Sequence, residues 1–239
     1  MKIRGKRECK QCGTRWSYYE TGSIGCPACG SLHSVGTDER TEHTDSQVTF
    51  DLTAVRADID NDAHTELADR AREACRTYVR QRGFVNGGRL RDLDEEYLAA
   101  IELVHVADII SRKRSLTEPE ELYFLSLLRS GDRGERPPVA EVPRSLRAGR
   151  GLAYANAVDE YRRDIRKWAD DRELTQSERS TLELLGDHVR RLRMLDGNVT
   201  AETAERLLEA TRALANGLRG DESEFTRGQD RLENFTLET

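Results

Sequence analysis

The chain has 239 residues, 34% of them charged and 36% hydrophobic, with a formal net charge of −6. That length suits one or two domains with a sizeable core. No segment approaches the roughly 20 apolar residues of a membrane span, and the basic start from Met1 to Lys10 leads into no apolar run, so we expect no signal peptide and a cytoplasmic protein. Arginine outnumbers lysine 33 to 5; with the excess of acid this points to a halophilic source, codon bias in a GC-rich genome being the competing account.

The first thirty residues carry the strongest signal. Cys9, Cys12, Cys26 and Cys29 stand as two Cys-x-x-Cys pairs with thirteen residues between them, each closed by a glycine, Gly13 and Gly30. A tight knuckle aims two sulfurs at one point and often needs a positive φ after its second cysteine, which glycine accepts. Two knuckles supply four thiolates in a tetrahedron, the closed geometry of structural zinc, with one Zn2+ per chain. A rubredoxin-like iron site and a disulfide or redox pair are the other readings. Trp16-Ser17-Tyr18 and the turn Gly22-Ser23-Ile24-Gly25 suggest two short strands in the spacer.

Cys9-Lys10-Gln11-Cys12-Gly13 and Cys26-Pro27-Ala28-Cys29-Gly30 resemble the N-terminal zinc ribbon of transcription factor IIB, and the whole chain resembles haloarchaeal proteins with such a ribbon. The resemblance implies the four zinc ligands and a β ribbon over residues 1–36. It carries no initiation-factor role, because the spacer is shorter and the body lacks that factor's two cyclin-type repeats. Six basic residues in the first twenty, against Glu8 and Glu20, either balance the charge of a four-thiolate site or meet phosphate or an acidic protein. Lys10, Arg15 and Trp16 are the candidate contacts, with Tyr18 and Tyr19 beside them as stacking aromatics. His33, a conceivable substitute ligand, is made redundant by four cysteines.

Residues 37–61 read as a polar linker, with Val48, Phe50 and Leu52 a short strand or docking edge. Helical patterns fill 62–219. The first, over 62–82, carries Leu67, Ala71, Ala74 and Tyr78 on one face, Gly83 as its C-cap and Cys75 as a buried thiol. The second, 94–113, holds Glu102-x-x-His105 and Asp108, a di-metal pattern without its second copy. The third opens on the capping box Thr117–Glu120 and is expected to bury Leu122, Leu125 and Leu128. A proline-rich break at 129–145 follows, part of a stretch with six arginines and three acids between Arg129 and Arg150; it reads as a solvated loop or an anion-binding one.

The fourth helix, 144–172, repeats Tyr154, Val158, Tyr161, Ile165 and Trp168 as a heptad-like seam, with Gly149, Gly151, Ala153 and Ala155 allowing close approach. Thr175–Glu178 caps a fifth helix (Leu182, Leu185, Val189, Leu192, Leu195) and Thr200 a sixth (Ala204, Leu207, Thr211, Leu214, Leu218). Residues 220–239 read as an acidic flexible tail. The expected fold is therefore mainly α: a small β zinc ribbon joined to a bundle of five or six helices. The expected function is a non-enzymatic zinc adaptor in transcription or RNA metabolism, with a protein partner, nucleic acid as a further ligand class and homodimerisation permitted by the spare seams. An architectural ribbon stapled to a helical assembly domain, and an enzyme with its site in the bundle, are the alternatives.

Overall fold

A computed structural model describes residues 1–239. The N-terminal unit consists of β1 (Lys2–Ile3), β2 (Lys6–Cys9), β3 (Arg15–Ser17), a single helical turn α1 (Tyr18–Thr21), β4 (Ser34–Gly36) and β5 (Thr41–Glu42). Its antiparallel sheet has the order β3-β2-β4, and β1 pairs separately with β5. The spacer therefore holds one strand and a helical turn instead of two strands: Gly22, at φ 63°, closes α1 and returns the chain to the second knuckle.

The body comprises α2 (Thr53–Arg56), α3 (His64–Gln81), a hairpin of β6 (Val85–Asn86) and β7 (Arg89–Leu90), α4 (Glu95–Ile110), α5 (Glu118–Ser130), three short 3-10 turns between Gly131 and Leu146, α6 (Arg147–Ala169), α7 (Gln176–Met194), α8 (Ala201–Leu218) and α9 (Glu222–Glu233). Helix α4 is buried on nearly every side, from Tyr97 to Ile110, as expected of a helix apolar all round. It lies between α3 and α6; α6 in turn carries α7 and α8, and α9 closes on α8. One apolar core of 50 residues runs through this body and takes no residue from the first 36. Both capping boxes form, at Thr117–Glu120 and Thr175–Glu178, and the Thr200 side chain accepts from the Thr203 N–H.

The α6 seam is buried throughout, from Tyr154 to Trp168. Close approach at its start is real: a Cβ on Gly151 would lie 2.1 Å from the Gly197 carbonyl oxygen. Leu195, expected on the α7 seam, is instead 38% exposed, because the helix has already ended at Met194.

Several sequence expectations give way. Gly83 is not a left-handed cap: Arg82 ends α3 in extended backbone, and Gly83 lacks a side chain because Thr44 lies where a Cβ would be, 2.4 Å away. Helix α5 buries Leu125 and Leu128 as expected, together with Tyr123, Phe124 and Leu127, but leaves Leu122 58% exposed, so its apolar face is rotated away from Leu122. Residues 37–61 are no free linker. β5 pairs with β1, Phe50, Leu52 and Val55 enter the core, and the 48–52 stretch leads into α2 without forming a strand. The C-terminal segment is no flexible tail: α9 docks with Leu232 fully buried and Phe225 and Phe235 packed against the core.

Candidate metal centre

The two knuckles have the same backbone wiring. Cys9 N–H donates to Thr14 O (2.9 Å) and Gly13 N–H to Cys9 O (3.0 Å); Cys26 N–H donates to Ser31 O (2.9 Å) and Gly30 N–H to Cys26 O (2.9 Å). Gly13 and Gly30 sit at φ 74° and 72°, which is why each pair ends in glycine. The ladder then joins the knuckles, since Cys9 on β2 stands opposite Ser34 on β4.

The four Sγ atoms lie within 4.8 Å of one another. Cys9 to Cys29 is 3.6 Å and Cys12 to Cys26 is 3.5 Å. A tetrahedron with sulfur about 2.3 Å from its central ion has edges of about 3.8 Å, whereas a disulfide needs about 2.05 Å. The cysteines are thus spaced for one shared ion and not for bonding to each other. Thiolate character is supported locally: Gln11 N–H donates to Cys9 Sγ (3.4 Å), and the Thr14 hydroxyl lies 3.2 Å from Cys12 Sγ. Thr14 holds the Cys12 thiol down at about 6. Ser31 N–H favours the Cys29 thiolate, yet neighbouring thiolates, Cys12 first, push that thiol up to about 12. His33 is exposed and stands outside the cluster, and Cys75 is buried in the body with its thiol pushed up by burial.

Cys9 and Cys26 are the only buried side chains larger than hydrogen among the first 36 residues. The ribbon has no apolar core of its own, so its shape depends on the metal cross-link.

Of the candidate contacts, Lys10 and Arg15 are exposed, and Arg15 pairs with Glu8 at 2.7 Å. Trp16 is half-buried with its indole N–H donating to Ser23 O (3.0 Å), so its ring is partly committed to holding the spacer. Ile24, Leu32 and Val35 are 51%, 70% and 38% exposed on the same unit.

Glu102, His105 and Asp108 do not converge. Glu102 is fully buried between Tyr123, Tyr154, Arg136 and Arg150. His105 lies 3.0 Å from the Asn156 amide, and Asp108 pairs with Arg72 and Arg112. The stretch between Arg129 and Arg150 is likewise no plain solvated loop: Arg136 and Arg150 turn inward, their side chains 8% and 3% exposed, onto Glu95, Glu102 and Glu205.

Sequence reasoning missed the joint between ribbon and body. Tyr19 Oη accepts from Gly5 N–H (3.1 Å) and bonds Ile3 O (3.2 Å) and the Thr41 hydroxyl (2.7 Å). The β6–β7 hairpin turns through Gly87 and Gly88, both at positive φ, the two-residue form that suits a hairpin twist. From its tip Gly87 N–H donates to His43 Nδ1 (3.3 Å) and Gly88 N–H to Glu42 O (2.8 Å). Asp45, its side chain 2% exposed, is clamped by Arg82 (2.8 Å) and Arg91 (2.9 Å). The Asn86-Gly87-Gly88 run was the one visible signal of this joint.

Residues 1–232 match a protein family described as a family of unknown function (DUF7117). The chain belongs to that family. No curated protein and no solved structure matches the chain. The match takes in the cysteine knuckles, the joint and every helix, up to the penultimate residue of α9, so the family is a family of this whole arrangement and not of the ribbon alone. No helix is long and apolar enough to cross a membrane.

Proposed function

We propose that the ion is zinc, one per chain, and that the protein is a non-enzymatic cytoplasmic adaptor in transcription or RNA metabolism whose ribbon is the recognition surface for a protein partner. The observation that carries this reading is the division of labour within the first 36 residues. The sulfurs converge on one point, while Lys10, Arg15, Ile24, Leu32 and Val35 stand out in solvent. Cationic and apolar groups presented together on a cross-linked hairpin suit a partner with an acidic, partly apolar face. The pathway rests on the likeness of the two knuckles to the transcription factor IIB ribbon. The divergence of Glu102, His105 and Asp108 takes away the geometric basis for a di-metal enzyme site.

The test has two parts. Purified protein is expected to carry one equivalent of zinc, and Cys12→Ser to lose both the ion and the dispersed NMR signals of residues 1–36; a full equivalent of tightly held metal in that variant contradicts the site. A pull-down from a halophilic archaeal lysate with wild type and with Arg15→Ala/Leu32→Ser then tests the surface. Loss of a specific partner is expected, and a partner set identical in both sinks the recognition role.

A second reading, the ribbon as an architectural staple on a helical assembly domain, is favoured by the Tyr19 and hairpin-tip contacts. The two readings are compatible in one molecule, since a docked ribbon presents its outer face in a fixed direction.

A further inference from the structure

A cleft of about 600 Å³ opens within the N-terminal unit and the segment just after β5, lined wholly by residues 1–46, with Arg4, Arg7 and Arg40 along its wall and Ile3 and Ile24 among its apolar lining. That size falls within the range of ligand clefts. Five cationic groups line it in all, and two are already matched: the N-terminal ammonium pairs with Glu42, and Lys2 with Asp171. The three arginines enter no ion pair. Arg7 donates only to Ser34, through Nε to the hydroxyl (2.9 Å) and Nη2 to the carbonyl (3.4 Å), which leaves Nη1 unused. The single carboxylate in the lining, Asp45, is occupied by Arg82 and Arg91.

Two of the three arginines are placed by backbone geometry. The Arg4 stem lies across Gly36 on β4, where a Cβ would fall 2.4 Å from Arg4 Cβ. Arg7 is held on β2 opposite Gly36, so the absence of a side chain at position 36 brings Arg4 over the Arg7 strand. Tyr18 also lines the cleft, its ring edge-on to His43 at 5.8 Å and half-buried.

We propose that this cleft binds the phosphodiester backbone of a single-stranded nucleic acid, with Arg4, Arg7 and Arg40 on successive phosphates and a base against Tyr18. Unspent guanidinium forks match phosphate oxygens bidentately. An aromatic side chain in the same lining suits a base, a partner that an acidic peptide does not offer. The site shares Ile24 with the outer ribbon surface proposed for the protein partner, while its three arginines and Tyr18 lie outside that surface.

The test uses the zinc-loaded full chain and a fluorescein-labelled twelve-nucleotide oligouridylate, titrated by anisotropy from low to moderate salt, with an oligoglutamate peptide of equal charge as control. Three phosphate contacts give a slope of log affinity against log salt of roughly −2. The triple variant R4Q/R7Q/R40Q is expected to lose at least tenfold in affinity and most of the slope, and Tyr18→Ala to lose about tenfold. The Arg179→Ala/Arg227→Ala variant, at two exposed arginines of the helical body, is expected to bind as wild type. Where the triple variant fails to retain zinc, Arg40→Gln, exposed and after β4, serves alone with an expected slope change of roughly 0.7. Absence of oligouridylate binding, equal binding of oligoglutamate, or affinity indifferent to the arginine variants overturns the proposal. Unchanged affinity in Tyr18→Ala overturns the nucleic-acid assignment in favour of a bare oxyanion.

Discussion

Glu102 shows what a single buried charge commits a fold to. Burial pushes its carboxyl up from the ordinary range, opposed by Arg150 and Arg136, whose nearest nitrogens stand 3.8 and 3.7 Å away. Tyr123 and Tyr154 hydroxyls donate to its two oxygens, and both guanidiniums lie 5.2 Å from the Tyr154 ring centroid. The two arginines are nearly as buried as the glutamate, so removing the carboxylate leaves each with one acidic partner, Glu95 or Glu205, and takes the acceptor from the Tyr123 hydroxyl. Glu102→Ala is expected to cost roughly 3–5 kcal/mol, a fall of about 6–20 °C in melting temperature for a chain of this size; a loss under about 1 kcal/mol in a denaturant titration counts against the charge balance. The sequence displayed Glu102 and His105 one helical turn apart and nothing more. Which side chain answers a buried carboxylate is decided by residues 21 to 52 positions further along the chain, at Tyr123, Arg136, Arg150 and Tyr154, a distance periodicity does not reach. The cysteines were legible for the opposite reason: a knuckle is local, and its glycine and its two sulfurs lie within five residues.

At the scale of elements, capping boxes and seams were legible because they too are local, whereas the docking of α9 was not. Residues 220–239 look soluble and acidic, and only Phe225, Leu232 and Phe235 hint at a buried side. The structural reason for docking lies in two glycines. A Cβ on Gly217 of α8 would stand 2.4 Å from Phe225 Cα, and one on Gly228 of α9 would stand 2.7 Å from Leu214 N, so the two helices cross with backbones nearly touching. His188 on α7 then ties the end of α9: its Nε2–H donates to the Leu232 carbonyl (2.9 Å) and its ring meets Phe235 edge-on at 4.8 Å. Burial holds this histidine below its usual 6.5, so the folded state binds its proton less readily than the unfolded one. Its contribution is full above the unfolded value and is lost as pH falls through the lower folded value. Hydrogen exchange at 222–239 is therefore expected to accelerate on going from pH 7 toward pH 5 more than exchange in α4 does, after correction for intrinsic rates. In His188→Gln that acid-dependent difference should vanish, and its persistence there assigns the effect to another group. Gly228→Val should release α9 already at neutral pH.

The molecule as a whole joins a part that cannot fold by its own burial to one that can. The chain from Phe50 onward holds the whole core cluster, and the ribbon holds a metal site, for which isolated zinc peptides gain on the order of 10–16 kcal/mol of apparent binding energy. Whether the body benefits depends on the joint. Across it run the Gly88 N–H to Glu42 O bond, the Gly87 N–H to His43 bond, the Lys2–Asp171 pair and the Asn86 amide to Tyr19 O contact at 3.4 Å. At about 1 kcal/mol for each well-formed hydrogen bond and less for the exposed ion pair, these transmit roughly 3 kcal/mol. Stripping zinc should accordingly lower the melting temperature of the helices, followed by circular dichroism, by about 6–12 °C while leaving a cooperative transition in place. Tyr19→Phe keeps the ring against Gly87 but loses the hydroxyl that collects Gly5, Ile3 and Thr41, so its zinc-dependent shift should be smaller than in wild type. A helical transition unmoved by chelation would make the ribbon an appendage, and the fixed presentation of its outer face would lose its physical basis. The coupling matters for recognition because a ribbon held in register with β1, β5 and the Gly87–Gly88 tip orients its exposed residues before any partner arrives, and that ordering cost is then absent from the binding step.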